Sequence, residues 1–170
     1  MIDLAEANTE LWQEVAEIPD IRYCFACGTC ISACPAANAD PPLLIRDLIR
    51  MVVLGLEDEL LDMDTPWTCI TCSKCEELCP MGVRPFEIGL AIRRWQCKND
   101  ETRIPPGTVE LYKRGYTQPV DKADTLRASV GMPERLPVLA DDPEQLEAFR
   151  SMLMEVEIIQ DNDYMYQGEE

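Results

Sequence analysis

The cysteines of this chain fall into two runs with the same spacing. The first run is "CFACGTCISACP", from Cys24 to Pro35, and the second is "CITCSKCEELCP", from Cys69 to Pro80. In each run, two residues separate the first three cysteines, three residues precede the fourth, and a proline follows. Three cysteines at this spacing in a tight loop can supply three of the four thiolates that a cubane [4Fe–4S] cluster needs. The sequence therefore predicts two [4Fe–4S] clusters.

The fourth thiolate of each cluster is expected to come from the other run. In two-cluster ferredoxins with this spacing, the last cysteine of a run binds the other cluster, since the chain has by then turned away at the proline. The two predicted ligand sets are Cys24, Cys27, Cys30 and Cys79 for one cluster, and Cys69, Cys72, Cys75 and Cys34 for the other. Sharing ligands in this way brings the clusters close together, which favours an electron path through the protein.

Three other uses of the cysteines compete with this interpretation. Structural zinc usually takes paired C-x2-C motifs or includes histidine, and this sequence has no histidine. Nine cysteines in a reducing compartment would not pair as disulfides. Clusters that only stabilise a small fold remain an alternative. Cys97, the ninth cysteine, lies outside both spacings and is expected to be a buried thiol without a ligand role.

Composition and charge exclude several function classes. The 170 residues carry a net charge of −17, and residues 1–20 and 151–170 each hold six acidic residues and no basic one. Such a surface disfavours nucleic acid and anionic membranes as partners, and the acidic ends are either solvated or dock to a basic partner. Without histidine, a hydrolase is improbable.

The expected compartment is the cytoplasm. The first twenty residues, "MIDLAEANTELWQEVAEIPD", are acidic and amphipathic and do not resemble a secretion signal. No apolar run reaches the roughly 18–20 residues that span a bilayer. Charged residues interrupt the longest apolar segment, 43–61. We therefore expect no direct insertion into a membrane.

Hydrophobic periodicity predicts a mainly α fold without strands. Apolar residues at helical spacing indicate a first helix within residues 3–18. A second helix is expected after the prolines at 41 and 42, with a break at Gly55 and a short helical turn around Leu60. Pro85 can start a third helix. Its apolar face would hold Ile88, Ile92 and Trp95, with Arg93 and Arg94 turned away.

The last third of the chain has a different character. Five prolines and three glycines between residues 99 and 137 predict an extended, loop-rich arm. A final helix is expected where Asp142 can act as N-cap, Pro143 fits the first turn and Gln145 completes a capping box. We therefore divide the chain into a two-cluster domain, 1–98, and an arm with a C-terminal helix, 99–170, that docks to partners.

The segment between and after the cysteine runs resembles a known family. The sequence "PPLLIRDLIRMVVLGLEDELL", followed by "WTCITCSKCEELCPMGVRPFEIGLAIRRW", resembles the C subunit of heterodisulfide reductase, strongly over residues 20–97. The cysteine runs alone are also similar to those of the iron–sulfur subunits of succinate dehydrogenase, anaerobic glycerol-3-phosphate dehydrogenase and glycolate oxidase. The resemblance implies a helical ferredoxin fold in which all eight cysteines of the two runs bind clusters.

The resemblance also implies partners. In such a complex a flavin-containing subunit supplies electrons to the two-cluster subunit, which passes them to a cysteine-rich catalytic subunit that reduces a disulfide. This chain has no "GxGxxG" and no cysteine after residue 97, so it is not expected to be catalytic alone. The alternatives are an iron–sulfur subunit of a membrane-linked or quinone-linked dehydrogenase, and a cluster-bearing scaffold or redox sensor.

Overall fold

A computed structural model describes residues 10–15, 18, 21–117, 121–133 and 137–160, except for the side chains of residues 121, 122, 157 and 158. These residues form ten α-helices, several short 3₁₀ turns and no strand. The helices are α1 Glu10–Val15, α2 Thr29–Ser32, α3 Ile45–Leu54, α4 Glu57–Asp62, α5 Lys74–Glu77, α6 Pro85–Asn99, α7 Pro106–Arg114, α8 Asp121–Ser129, α9 Pro143–Leu153 and α10 Glu157–Gln160. The mainly α prediction is confirmed. The chain divides into two compact units, Met1–Asn99 and Asp100–Glu170.

The core of the first unit lies between α3 and α6, the helices that follow the two cysteine runs. Leu48, Ile49 and Val52 of α3 are buried, as are Ile88 and Ile92 of α6. The two helices approach closely at Gly89, where a Cβ atom would lie 3.3 Å from Cδ1 of Ile45. This close approach lets one apolar core support both cysteine loops.

The predicted helices of the first unit are confirmed in outline. α3 ends at Leu54, and the next residue, Gly55, has a positive φ of 69° that favours glycine. The short helix α4 then contains Leu60, and α6 begins at Pro85. Of the first predicted helix, residues 3–9 lie outside the described residues. Its expected extension to residue 18 is wrong, since α1 ends at Val15 and Ile18 lies in a bend.

A buried carboxylate from α4 caps the start of α1. Oε1 of Glu57 accepts a hydrogen bond from the backbone N–H of Leu11 at 2.7 Å, and the Glu57 residue is only 2% exposed. Burial raises the pKa of Glu57, although the N–H groups at the start of α1 oppose this shift. An acceptor at this end of a helix satisfies N–H groups that have no partner within the helix. Glu57 therefore ties α1 to the core.

The expectation of an extended arm after residue 99 is wrong in part. This stretch contains two nine-residue helices, α7 and α8. Pro106 is the first residue of α7, and Gly115 ends it with a φ of 73°. Proline just inside the start and glycine just past the end are ordinary helix boundaries. The composition of the segment had indicated a loop because the same residues are also loop signals.

The C-terminal helix begins at Pro143 with Asp142 as its N-cap, as predicted, but the Gln145 side chain bonds the Asp142 carboxylate and not the backbone N–H that a capping box requires. The Asp142 side chain accepts hydrogen bonds from the backbone N–H groups of Glu144 and Gln145 and from Nε2 of Gln145. Within the same unit, Arg150 of α9 donates to the backbone carbonyls of Tyr112 and Lys113 in the last turn of α7. A cation at the C-terminal end of a helix is favourable. These bonds fasten α9 to α7.

Across the part of the chain that the structure describes, none of the helices has the length and apolar character needed to cross a membrane.

Candidate iron–sulfur cluster sites

The two cysteine loops have the same backbone conformation. Positive φ angles flank the middle cysteine in both runs, at Ala26 and Gly28 around Cys27, and at Thr71 and Ser73 around Cys72. Three of these four flanking residues are not glycine, so their left-handed conformation costs energy that the surrounding structure must offset. Such strain concentrates at functional sites. The repeat in cysteine spacing is therefore matched by a repeat in these backbone angles.

The first loop forms one wall of a surface recess. Its cysteine set is Cys24, Cys27, Cys30 and Cys79, so three members come from the first run and one from the second. The recess has a volume of about 350 Å³, including space open to solvent, and Arg46 and Ile49 of α3 also line it. The four cysteines lining this recess are the ones that the spacing rule assigned to one cluster.

The second loop lines a separate recess of about 470 Å³, again including open space. Its cysteine set is Cys69, Cys72, Cys75 and Cys34, with Cys34 contributed by the first run. Cys34 has an extended backbone conformation and precedes the 3₁₀ turn Pro35–Asn38. The chain therefore turns at Pro35, directly after Cys34, the residue of the first run that lines the second recess. Apolar residues of α3 and α6 form much of the remaining wall.

The two recesses adjoin each other. Pro85, at the start of α6, lines both of them. The short helices α2 and α5, which carry Cys30 and Cys75, are in contact. The pKa of Cys75 is raised to about 12, chiefly by burial, and negative charge on Cys69, Cys30 and Cys34 adds to the shift. Since Cys30 lines the first recess and Cys75 the second, the cysteines of the two sets are within electrostatic reach of one another.

Local hydrogen bonds and burial distinguish the individual thiols. The hydroxyl of Thr29 lies 3.3 Å from Sγ of Cys27 and lowers the pKa of that thiol. Burial raises the pKa of Cys30, and the neighbouring Cys24 and Cys27 add to this. The backbone N–H of Val83 donates to Sγ of Cys79 at 3.4 Å. Iron binds thiolates, so cluster binding must displace the protons that burial retains on Cys30 and Cys75.

The structure bears on disulfides and single-metal sites as other uses of the cysteines. All nine cysteines lie within the described residues, and none of them forms a disulfide. The described part of the chain contains no group of three or more Cys, Asp or Glu side chains placed to hold a single metal ion. Cys97 is buried, 2% exposed, and lines neither recess.

A polar network that the sequence patterns did not reveal fixes the entry to the second loop. Gln96 is fully buried, accepts from Nε1 of Trp67 at 2.8 Å, and donates to the carbonyls of Leu60 and Met63 at 2.6 and 2.8 Å. A sequence signal for Gln96 existed, because it continues the series Ile88, Ile92 by a further four residues on the buried face of α6.

Arg93 belongs to the same network. The prediction that it points away from the core is wrong, because it is half-buried and donates to the backbone carbonyls of Pro66 at 2.8 Å and Cys69 at 2.7 Å. The cause is the linker before Cys69, which runs along this side of α6 and offers carbonyls that a guanidinium can reach. Arg94, the next residue, is exposed as predicted.

Ion pairs neutralise part of the charge that follows the second loop. Arg84, which has a positive φ of 58°, contacts Glu76 of α5 and Glu87 of α6. These pairs join the end of the second cysteine run to the start of α6. They also reduce the negative charge that Glu76 would otherwise place near the second recess.

Comparison with known proteins identifies this arrangement. Residues 20–83 match the family model described as a 4Fe-4S dicluster domain. This match spans both cysteine runs and α3, and together with the helical structure it confirms the helical ferredoxin fold. The chain therefore binds two [4Fe–4S] clusters, and the two recesses, each with four cysteines and largely apolar walls, suit such groups.

Relatives that match most of the chain share one description. A protein of Archaeoglobus profundus described as like the C subunit of heterodisulfide reductase is 38% identical, over 91% of this chain and 87% of the relative. The C2 subunit of the H(2)/formate:CoB-CoM heterodisulfide,ferredoxin reductase of Methanococcus maripaludis is 31% identical, over 88% and 82%. The C subunit of the H(2):CoB-CoM heterodisulfide,ferredoxin reductase of Methanothermobacter marburgensis is 32% identical, over 78% and 73%. The chain thus belongs to the family of heterodisulfide reductase C subunits, the iron–sulfur electron-transfer components of an oxidoreductase complex.

Proposed function

We propose that this chain relays electrons in a cytoplasmic complex, from a flavin-containing subunit to a cysteine-rich catalytic subunit that reduces a disulfide. The observation that carries the proposal is the pair of adjoining four-cysteine recesses. When bound, the two [4Fe–4S] clusters supply one-electron redox centres. An electron relay needs two such centres close together, with each of them near a different part of the surface.

We assign the ligands as two crossed sets. Cys24, Cys27, Cys30 and Cys79 would hold one cluster, and Cys69, Cys72, Cys75 and Cys34 would hold the other. Each set lines one recess, which supports the assignment.

The exposure of the two loops supports separate sites of electron entry and exit. Phe25 in the first loop and Ile70 in the second are 62% and 63% exposed. Each loop also carries an exposed cysteine, Cys27 or Cys72, whereas Cys30 is buried. Large apolar side chains exposed beside a redox centre are typical of partner-binding surfaces. We infer that one loop faces the electron donor and the other faces the acceptor.

The second unit supports a docking role for residues 99–170. Its helix α8 leaves Leu126 70% exposed, and Val130 and Met132 beyond it are also exposed. Three large apolar side chains exposed close together along the chain, on the last turns of α8 and just after it, favour a protein interaction surface. We therefore infer that α8 binds a partner subunit, in agreement with the expectation that this part of the chain is a docking extension.

The proposal is tested by isolating the native complex. The chain is tagged and purified anaerobically, its co-purifying subunits are identified, and flavin and iron are measured in the same sample. We expect a flavoprotein and a cysteine-rich subunit to co-purify. A membrane cytochrome without a cysteine-rich subunit would contradict the proposal and favour a quinone-linked dehydrogenase.

Two variants of α8 sharpen this experiment. Leu126→Asp places a charge on the exposed apolar face, and we expect the tagged chain to keep its iron but lose at least one partner. Thr125→Asp adds the same charge at a neighbouring exposed position and should retain every partner. Equal partner recovery with the two variants would show that α8 is not the docking surface.

A further inference from the structure

Arg93 bonds the backbone of the segment that leads into the second cysteine loop. Its Nε donates to the Pro66 carbonyl and its Nη2 to the Cys69 carbonyl, and its guanidinium lies 5.2 Å from the centre of the Trp67 ring. One planar side chain thus contacts both ends and the middle of the segment 66–69. Lysine could not make these contacts together, since its ammonium lacks the planar fork of donors.

We propose that Arg93 is a positioning residue that raises the reduction potential of the cluster held by Cys69, Cys72, Cys75 and Cys34. The inference rests on the crossed ligand sets proposed above. Arg93 acts on the cluster through the Cys69 backbone. It fixes the carbonyl group of Cys69, the first ligand residue of the run, and the negative end of that carbonyl dipole points toward the guanidinium.

The electrostatic argument follows from the surroundings of Arg93. It is half-buried against Trp67, so water screens its charge less than the charge of an exposed arginine. Among the described residues no carboxylate forms an ion pair with it, whereas Arg46 beside the first recess is paired with Asp47 at 2.9 Å. A reduced cluster carries one more negative charge than an oxidised one, so a nearby unneutralised cation stabilises the reduced form.

The chain offers a matched control for this charge. Arg94 is adjacent in sequence, carries the same charge and is exposed. Replacing either arginine by glutamine changes the net charge equally. A difference between the two variants therefore reports the hydrogen bonds and burial of Arg93, and not the overall charge of the protein.

The experiment is a redox titration of the cluster-loaded full chain, followed by electron paramagnetic resonance, with iron measured in each sample. We expect Arg93→Gln to retain both clusters and to shift one of the two midpoint potentials to a more negative value. Arg94→Gln should shift it much less. Unchanged potentials in Arg93→Gln, or equal shifts in the two variants, would overturn the proposal.

A conservative variant keeps the test decisive if Arg93→Gln loses iron. Arg93→Lys retains the charge but not the fork, and we expect a smaller negative shift of the same potential. Loss of iron from both Arg93 variants would assign Arg93 a structural role only and overturn the tuning proposal. The double variant Arg93→Gln, Cys34→Ala tests the ligand sets, because it should retain only the cluster of the first recess. A negative shift of the midpoint potential of that remaining cluster would show that the ligand sets are assigned wrongly.

Discussion

Replacing Cys34 with alanine is expected to remove the cluster bound by Cys69, Cys72 and Cys75, although Cys34 belongs to the other cysteine run. The reason is geometric, because Cys34 lines the second recess and not the first. Three remaining thiolates leave one corner of a cubane without a protein ligand. Iron should fall from about eight to about four atoms per chain, with one of the two paramagnetic signals of the reduced protein lost.

Two further variants make this result specific. Cys79→Ala should have the reciprocal effect, since Cys79 lines the first recess. Cys97→Ser serves as the control: Cys97 lines neither recess, and this variant should keep about eight iron atoms per chain. If Cys34→Ala and Cys24→Ala lost the same cluster, each run would bind its own cluster and the crossed assignment would be wrong.

Replacing Gln96 with leucine is expected to destabilise the first unit by about 3–5 kcal/mol, because each buried polar group left without a partner costs about 1–3 kcal/mol. Leucine has a similar size but cannot bond Nε1 of Trp67 or the carbonyls of Leu60 and Met63. The loss is a large part of the roughly 5–15 kcal/mol that holds a typical domain together. Thermal unfolding of the cluster-loaded chain, followed by circular dichroism, measures the effect.

The position of Gln96 predicts a second consequence. Its partners precede the second cysteine loop, so the variant should lose the second cluster on warming before it loses the first. Gln13→Leu is a suitable control, since Gln13 is exposed on α1, and its unfolding midpoint should stay close to that of the unchanged protein. An equal midpoint for Gln96→Leu would contradict the structural role of the network.

The cysteine spacing was the most informative part of the sequence. Iron–sulfur clusters constrain the chain through covalent ligands at fixed intervals, so the same spacing predicts the same loop wherever it occurs. Helix boundaries marked by proline and glycine were also predictable, as at Pro85 and Gly55. These signals are local, and they depend on a few residues close together in the sequence.

What could not be predicted depends on contacts between distant segments. Glu57 binds Leu11 across 46 residues, and Arg93 binds Cys69 across 24. From the neighbouring sequence alone, a charged side chain at either position is expected to face solvent. The backbone groups that they bond are brought to them only by the packing of α1 and of the segment 66–69. Gln96 is an intermediate case, because its place on the buried face of α6 was visible while its partners were not.

The prolines and glycines after residue 99 show the opposite error. Their number suggested a loop, but Pro105 and Pro106 lie at the start of α7 and Gly115 lies just past its end, so these three mark the boundaries of a helix. Proline and glycine are informative by position, and composition alone overstated the loop content of this segment.

An electron relay requires that electrons pass through both clusters during turnover of the complex. The most direct measurement is rapid freeze-quench electron paramagnetic resonance of the purified complex. The complex is first reduced through the flavoprotein that we propose as its electron donor, and it is then mixed with a disulfide. The first disulfide to test is the CoB-CoM heterodisulfide that appears in the names of the relatives. We expect both cluster signals of this chain to appear when the complex is reduced. After mixing with the disulfide, both signals should decay at a rate at least equal to the turnover rate of the complex. Clusters that stay oxidised, or that decay more slowly than turnover, would contradict the relay.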